Sequence, residues 1–395
     1  MLESIKHQTV NKQTLSMSNE FSEKTAEVGN FIKCKDCGAN LKYLPGTDHL
    51  NCEYCGAKND IHDDPATATT TVIENDFESF LNEQAHKEDK QEVSTVKCDN
   101  CGAATTLGQN ITSSNCPYCD TPLVVKNATT SSILKPSYLL PFKIERKGAN
   151  ECFVKWVGGL WFAPNKLKEY AQHSAEKLNG IYMPYWTYDT NTISSYSGMR
   201  GDHYYVTETY TDSQGKRQTR QVRKTRWTPA SGTVYNKFDD VLIVASHSLP
   251  EKMAHDLEPW DLHELKAFND KYLSGFVSES YQVNLKEGFE KAKGRMDGPI
   301  RSSVRSDIGG DEQQILSLNN QYNDIKFKHI LLPVWLSAYR YNDKVYRFMI
   351  NARTGEVQGE RPWSTAKILL LVLGIIAVGV GIWYFATQYN QPSNY

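Results

Sequence analysis

Apolar residues recur along this chain with three different periods, and each period predicts a different kind of element. Spacings of three and four predict helices over 149–157 and 166–178, the second opened by Pro164 and Asn165, and further helices near 261–273 and 285–296. Strict alternation in segments rich in Tyr, Thr, Val and Ile predicts strands over 182–196, 203–210, 217–227 and 234–246. Closing strands follow over 330–341, 344–351 and 356–359, with turns at Asp212 to Lys216, at Asn342 with Asp343, and at Thr354 with Gly355. Helices and antiparallel strands of this order predict an α+β domain, rich in aromatic residues, over 135–362.

The third pattern has no polar phase at all. Residues 368–386 contain no charge, and as a helix they would span about 28 Å, close to the hydrocarbon thickness of a bilayer. One C-terminal transmembrane helix is predicted, with Trp363, Trp383 and Tyr384 near its ends as interfacial aromatics. Arg361 and Lys367 precede it, and the short tail 387–395 is uncharged. The positive-inside rule then places the N-terminal bulk in the cytoplasm, in a protein crossing the cell (inner) membrane once. Residues 1–30 are polar, carry no apolar signal segment, and are expected to be disordered.

Upstream of residue 130 cysteine dominates. Cys34, Cys37, Cys52 and Cys55 repeat as Cys98, Cys101, Cys116 and Cys119, both sets reading C-x2-C-x14-C-x2-C at a constant offset of 64 residues. KCKDCGA matches KCDNCGA, and NCEYC matches NCPYC, so the segment is an internal duplication. Two C-x2-C knuckles closed by a hairpin supply four thiolates in the tetrahedral shell that zinc prefers, with no position left for water. The prediction is two small β zinc ribbons, over 31–60 and 97–126, each holding one structural Zn2+ ion through its four cysteines. Disulfides would need an oxidising compartment, which the predicted topology does not provide. Gly38, Gly56 and Gly102 follow knuckle cysteines, where a positive φ lets the chain turn; Asp120 takes that place in the fourth knuckle. Pro45 with Gly46, and Gly108 with Asn110, supply the hairpin tips. His49 is expected to be solvated, and Cys152 to be a small core residue.

Charge narrows the function. Both ribbons are neutral, and the linker 61–96 between them holds nine acids against Lys87 and Lys90. Phe77, Phe80 and Leu81 within that linker have helical spacing, so a short amphipathic helix is expected to dock on a neighbour while the remainder acts as a tether. With the chain at −2 overall, the part after residue 126 is net positive. Binding a polyanion depends on lysines and arginines displacing counterions, which weighs against the ribbons as nucleic-acid readers. Lys216, Arg217, Arg220, Arg223, Lys224 and Arg226 populate both faces of one hairpin strand, which reads first as a charged edge that resists aggregation and otherwise as a contact for anionic lipid, an acidic partner or the acidic linker. Trp186 and Trp335 follow matching Pro-x-Trp steps and are expected in the core, facing one another or lining a pocket. No P-loop, zinc-protease helix or nucleophile elbow occurs, so no catalytic residues are expected.

The segments LLPFKIERKGANECFVKWVGGLWFAPNKLK, LNGIYMPYWTYD and HILLPVWLSAYRYNDKVYRFMINARTGEVQGERP, ahead of one terminal span, resemble a family of bacterial membrane proteins with N-terminal zinc ribbons. Its members are often labelled TFIIB-type zinc-ribbon proteins or primosomal protein N′-like helicases. Some are encoded beside phage-shock protein A homologues and SPFH-domain proteins, which implies protein partners of those kinds at the membrane. The expected function is a non-enzymatic, membrane-anchored adaptor that docks partner proteins at the cytoplasmic face. The alternative is a membrane-tethered nucleic-acid-binding factor of replication or transcription.

Overall fold

The first cysteine motif folds as a three-stranded antiparallel sheet of β1 (Lys42–Tyr43), β2 (His49–Asn51) and β3 (Lys58–Asp60) in a computed structural model. The structure describes residues 32–61, 72–83, 90–99, 103–106, 113–116, 118, 121–124, 129–172, 177–341 and 344–389. Thirty residues cannot enclose a core, and this ribbon does not try to. Its Leu41, Tyr43, Leu50 and Ile61 are buried in one cluster with Leu139, Phe142 and Tyr272 of the body. Polar groups fix the contact: Tyr43 N–H donates to the Ser274 carbonyl at 2.9 Å, and Gly46 N–H to that of Phe142 at 2.9 Å. The tethered ribbon expected from the sequence is instead seated on its neighbour.

The acidic segment is also engaged. β4 (Asn75–Asp76) pairs with a long body strand, and α1 (Phe77–Glu83) follows, opened by Ser79 N–H on the Asp76 carboxylate at 2.7 Å. The helical spacing did find a docking face. Phe77 lies 5.1 Å, ring to ring, from Phe289, and Phe80 lies 5.0 Å from Phe327. Next come β5 (Lys90–Lys97), β6 (Ala104–Thr106), β7 (Ser113–Asn115), β8 (Pro122–Val124) and β9 (Thr129–Leu134). β5 and β6 join the main sheet, whereas β7 and β8 form a separate hairpin. Gly102, Gly108, Asn110 and Asp120, expected at turns, lie outside the described residues.

β10 (Tyr138–Leu139), α2 (Arg146–Gly159) and α3 (Asn165–Gln172) lead into three very long strands. β11 (Asn179–Thr211) and β12 (Arg217–Val244) form one antiparallel hairpin, turned at Gly215, whose φ is 78°. Between β12 and the third long strand come α4 (Glu251–His255), β13 (Lys266–Ala267), β14 (Val277–Glu279) and α5 (Leu285–Ile308). β15 (Glu312–Tyr341) pairs with the other edge of β11, and β16 (Lys344–Asn351), β17 (Val357–Gly359) and α6 (Thr365–Tyr389) close the chain. The result is a mainly β body of α+β class.

Alternation decides which side chain meets which layer. Ile181, Met183 and Tyr185 of β11 share one face with Ile330, Leu332, Val334 and Leu336 of β15, against Leu249, Leu257 and Trp260. Tyr182, Trp186 and Tyr188 take the opposite face. There α5 buries a stripe of Leu285, Phe289, Ala292, Met296, Ile300, Val304 and Ile308, each large apolar side chain contributing roughly 1.5–3 kcal/mol. Trp186 and Trp335 do not face one another: Trp335 meets Phe142 and Phe276 edge to face, while Trp186 meets Tyr281, Phe327 and His329 in a separate cluster.

Five readings of predicted elements change, one of them the closing strand 330–341, which begins at Glu312. Strands 182–196 and 203–210 are a single strand, because Gly198 and Gly201 mark close approach rather than a turn: a Cβ at Gly198 would stand 2.3 Å from the Gln314 carbonyl oxygen. Strands 217–227 and 234–246 likewise merge, carrying Pro229 and Gly232 in the outer strand of the hairpin. The helix near 285–296 runs on to Ile308, through Pro299, because Ile300, Val304 and Ile308 continue its buried stripe. The helix near 261–273 is absent; short 3-10 turns at Leu262–Glu264 and Asp270–Leu273 flank β13, whose Lys266 pairs with Leu139.

α6 stands apart from the core. Its Thr365–Ala386 stretch has a mean hydropathy of 2.6 and none of it is buried, which makes it a helix long and apolar enough to cross a membrane. Its root is fixed on the body: Ser364 N–H donates to the Phe162 carbonyl at 2.8 Å, and Lys367 Nζ to that of Ala163 at 2.7 Å.

Candidate metal centre

Each knuckle is built by one repeated turn. The amide of the first cysteine donates to the carbonyl five residues on, as Cys34 does to Ala39 at 2.8 Å and Cys52 to Ala57 at 3.0 Å. Gly38 and Gly56 complete these turns at φ of 74° and 73°, the left-handed region that favours glycine. The four sulfurs of Cys34, Cys37, Cys52 and Cys55 thereby lie within 4.8 Å of one another.

Distances test whether a metal fits. Cys34 Sγ and Cys55 Sγ are 3.6 Å apart, and Cys37 Sγ and Cys52 Sγ 3.5 Å. A disulfide requires about 2.05 Å, so the cysteines are not bridged. Ligand bonds of about 2.3 Å arranged tetrahedrally place sulfurs roughly 3.8 Å apart, and the cluster can hold such an ion with little rearrangement. Backbone amides favour the thiolates that a metal needs. The amides of Cys37 and Asp36 hold the Cys34 thiol below its ordinary range, and that of Cys55 pushes Cys52 down to about 7.

Burial gives the centre two sides. Cys34 and Cys52 face the body core, whereas Cys37 and Cys55 are exposed beside Tyr54, whose side chain is 83% exposed. His49, expected to be solvated, is half-buried in β2 opposite Asp60 with its Nε2 enclosed, and is not one of the four ligands. Cys152 is half-buried against the core near Gly355, away from the cluster.

The second motif repeats the turn. Cys98 N–H donates to Ala103 at 2.9 Å and Cys116 N–H to Thr121 at 2.8 Å, the same five-residue step as in the first copy. Cys98 and Cys116 are buried; Cys101 and Cys119 lie outside the described residues. Tyr118, in the fourth knuckle, is wholly buried and reaches Glu279 of the body.

Two polar clusters escaped the sequence reading. The Lys328 ammonium, 3% exposed, lies 2.6 Å from Asp240, 3.2 Å from Glu74 and 3.4 Å from Asp189. Glu74 belongs to the acidic segment, so this buried cation pins that segment to β11 and β15. Burial pushes Asp189 up to about 6. Arg353, in the turn before Gly355, grips Asp261 at 2.6 Å and also Glu264. It lines a cavity of about 460 Å³ with Tyr43 and Asp48 of the first ribbon and Lys266 of the body. Nothing in local sequence flags a lysine inside an apolar run as a hub, because its three partners lie up to 254 residues away.

No protein-family model matches the chain, and no solved structure does. The chain is similar to a Bacillus subtilis protein described as uncharacterized protein YdjG, with 25% identity over 345 residues, covering 87% of this chain and 93% of that relative.

Proposed function

We propose that this chain is a membrane-anchored adaptor whose zinc ribbons dock partner proteins at the cytoplasmic face of the membrane. One observation carries the reading: a four-cysteine centre buried on one side and open on the other, with the exposed Tyr54 on its knuckle. A large aromatic held at the surface by a metal-braced turn presents contact area at low entropic cost, as interface anchors do. Each of the eight motif cysteines, Cys98, Cys101, Cys116 and Cys119 included, is a thiolate ligand in this reading, and two zinc ions brace the two ribbons.

Placement supports the same role. The first ribbon shares its core cluster with Leu160 and Ala163, the segment that holds the root of α6. A partner bound at Tyr54 is then held on the same body that α6 anchors. The basic side chains before α6 and the uncharged tail after it orient the bulk of the chain towards the cytoplasm.

The test is affinity purification of the full chain from membranes, compared with Tyr54→Ala. The adaptor reading expects one companion to be lost from the variant while zinc content and membrane association are unchanged. An identical set of companions with both proteins would refute docking at this knuckle.

A further inference from the structure

β11 and β12 stay paired beyond the point where β15 ends against them, at Gly201 opposite Glu312. Residues 202–226 therefore extend as a two-stranded ribbon in which no residue is buried. Apolar burial cannot be the reason for this arm. It carries six cations, from Lys216 to Arg226, against Asp202, Glu208 and Asp212.

Its two faces differ. On one, Glu208 lies 3.4 Å from Arg220 and 3.1 Å from Lys224, and Arg226 stacks over Tyr204, so charge is largely satisfied within the face. On the other, four successive cross-strand pairs, from Tyr205 with Arg223 to Thr211 with Arg217, hold no acid. Among the described residues neither of these arginines has a carboxylate at ion-pair distance; Glu312, held by His203 and Thr225 of the next pair, acts on Arg223 only from further off. The remaining members of the face are threonines and a glutamine, and Tyr205 is 66% exposed. Hydroxyls, an amide, an open ring and unpaired guanidinium groups are the donor set that proteins use on phosphate backbones.

Position argues against the lipid surface as the target. The base of β11 is in register with the end of β15, in the core cluster that includes Leu160 and Ala163 of the turn holding the root of α6. The tip lies 32 residues further on, roughly 100 Å along the strand. The anchor and the basic ribbon are thus at opposite ends of the longest element in the protein.

We propose that residues 202–226 form an arm that binds the phosphate backbone of double-helical nucleic acid through the Arg217 and Arg223 face. A two-stranded ribbon is of the width that a duplex major groove, about 12 Å across, admits. The neutral metal ribbons take no part in this contact.

The experiment uses the full chain in nanodiscs of zwitterionic lipid and a labelled duplex of about 20 mixed-sequence base pairs. With two or three phosphates engaged, affinity should fall at least tenfold between roughly 50 and 200 mM salt. The Arg217→Glu, Arg223→Glu double variant should bind at least tenfold more weakly at the lower salt. A body variant of equal charge change, Lys252→Glu with Lys286→Glu, should stay within about twofold of the parent. Both are charge changes at exposed positions, and an unchanged thermal midpoint verifies the fold. Three results would overturn the proposal: no duplex binding by the parent at low salt, equal weakening by the body variant, or Arg217- and Arg223-dependent binding to phosphatidylglycerol vesicles with the duplex ignored.

Discussion

The Tyr118 hydroxyl donates to the Glu279 carboxylate across 2.5 Å, and both groups are buried. Tyr118 belongs to the second cysteine motif and Glu279 to β14, so this hydrogen bond joins the pairing of β6 with β14 in tying the second motif to the body. Glu279 also accepts from Ser246 at 2.7 Å and Gln282 at 3.0 Å. Removing the phenol leaves a buried carboxylate with fewer donors, and hydrogen bonds to charged groups contribute roughly 1.5–3 kcal/mol. Tyr118→Phe is therefore expected to lower stability by about that amount in denaturant unfolding of the full chain. A variant as stable as the parent would show that the remaining donors suffice.

Metal and docking should be lost together at the first ribbon. Cys52 is buried between the cluster and the core that Leu41, Tyr43 and Leu50 share with the body. Replacing Cys52 with Ser removes one of four thiolates, and ribbons of this size fold with their metal. Elemental analysis of purified Cys52→Ser should find one zinc ion fewer than in the parent. Limited trypsin digestion should then cut at Lys42 or Lys58 faster than in the parent, where β1 and β3 hold these positions in paired strands. Full zinc content in the variant would remove this cluster from the metal account.

Sequence periodicity revealed the α+β class, the apolar terminal helix and the four cysteines, because each is a local pattern. α1 was legible for the same reason: Phe77, Phe80 and Leu81 lie on one helical face. The long strands were not legible. In β15 the stretch from Glu312 to Lys326 is mostly polar, and its strand conformation comes from pairing with β11 over more than a hundred residues of separation. Nor does local sequence show why one strand runs through Gly198 and Gly201, which make room for Gln314, Thr225 and Trp227. The seat of the first ribbon was hidden too, since Leu41 and Leu50 carry no mark of where their partners lie.

The apolar helix offers a direct check on anchoring. Ile375 and Val378 sit mid-helix and are exposed, with no protein packed on them. An arginine at the centre of a spanning helix costs about 2.5–3.5 kcal/mol on insertion scales. Ile375→Arg with Val378→Arg should move the protein from the membrane pellet to the soluble fraction after carbonate extraction, with the body still folded. Retention in the pellet would mean that another surface holds the protein there.

Two buried groups of opposite sign should contribute opposing slopes to the pH dependence of stability in the mildly acidic range. His329 is wholly enclosed between the rings of Trp186 and Tyr281, and burial pushes its pKa down to about 4, against about 6.5 when unfolded. The folded state resists the proton that the unfolded chain takes up, so this contribution is complete above pH 6.5 and is lost as pH falls towards 4. Asp189 runs the other way. Its carboxyl, pushed up to about 6 by burial against about 3.9 unfolded, stabilises the fold at low pH, and that contribution is lost as pH rises through 6. Between about pH 4 and 6 the two slopes oppose each other, each at most about 1.4 kcal/mol per pH unit. Thermal midpoints at pH 4, 5 and 6 separate them. His329→Phe should lose stability with rising pH relative to the parent, and Asp189→Asn should gain it. If both variants kept the parental slope, neither group would titrate in this window, and the burial assigned to them would be wrong.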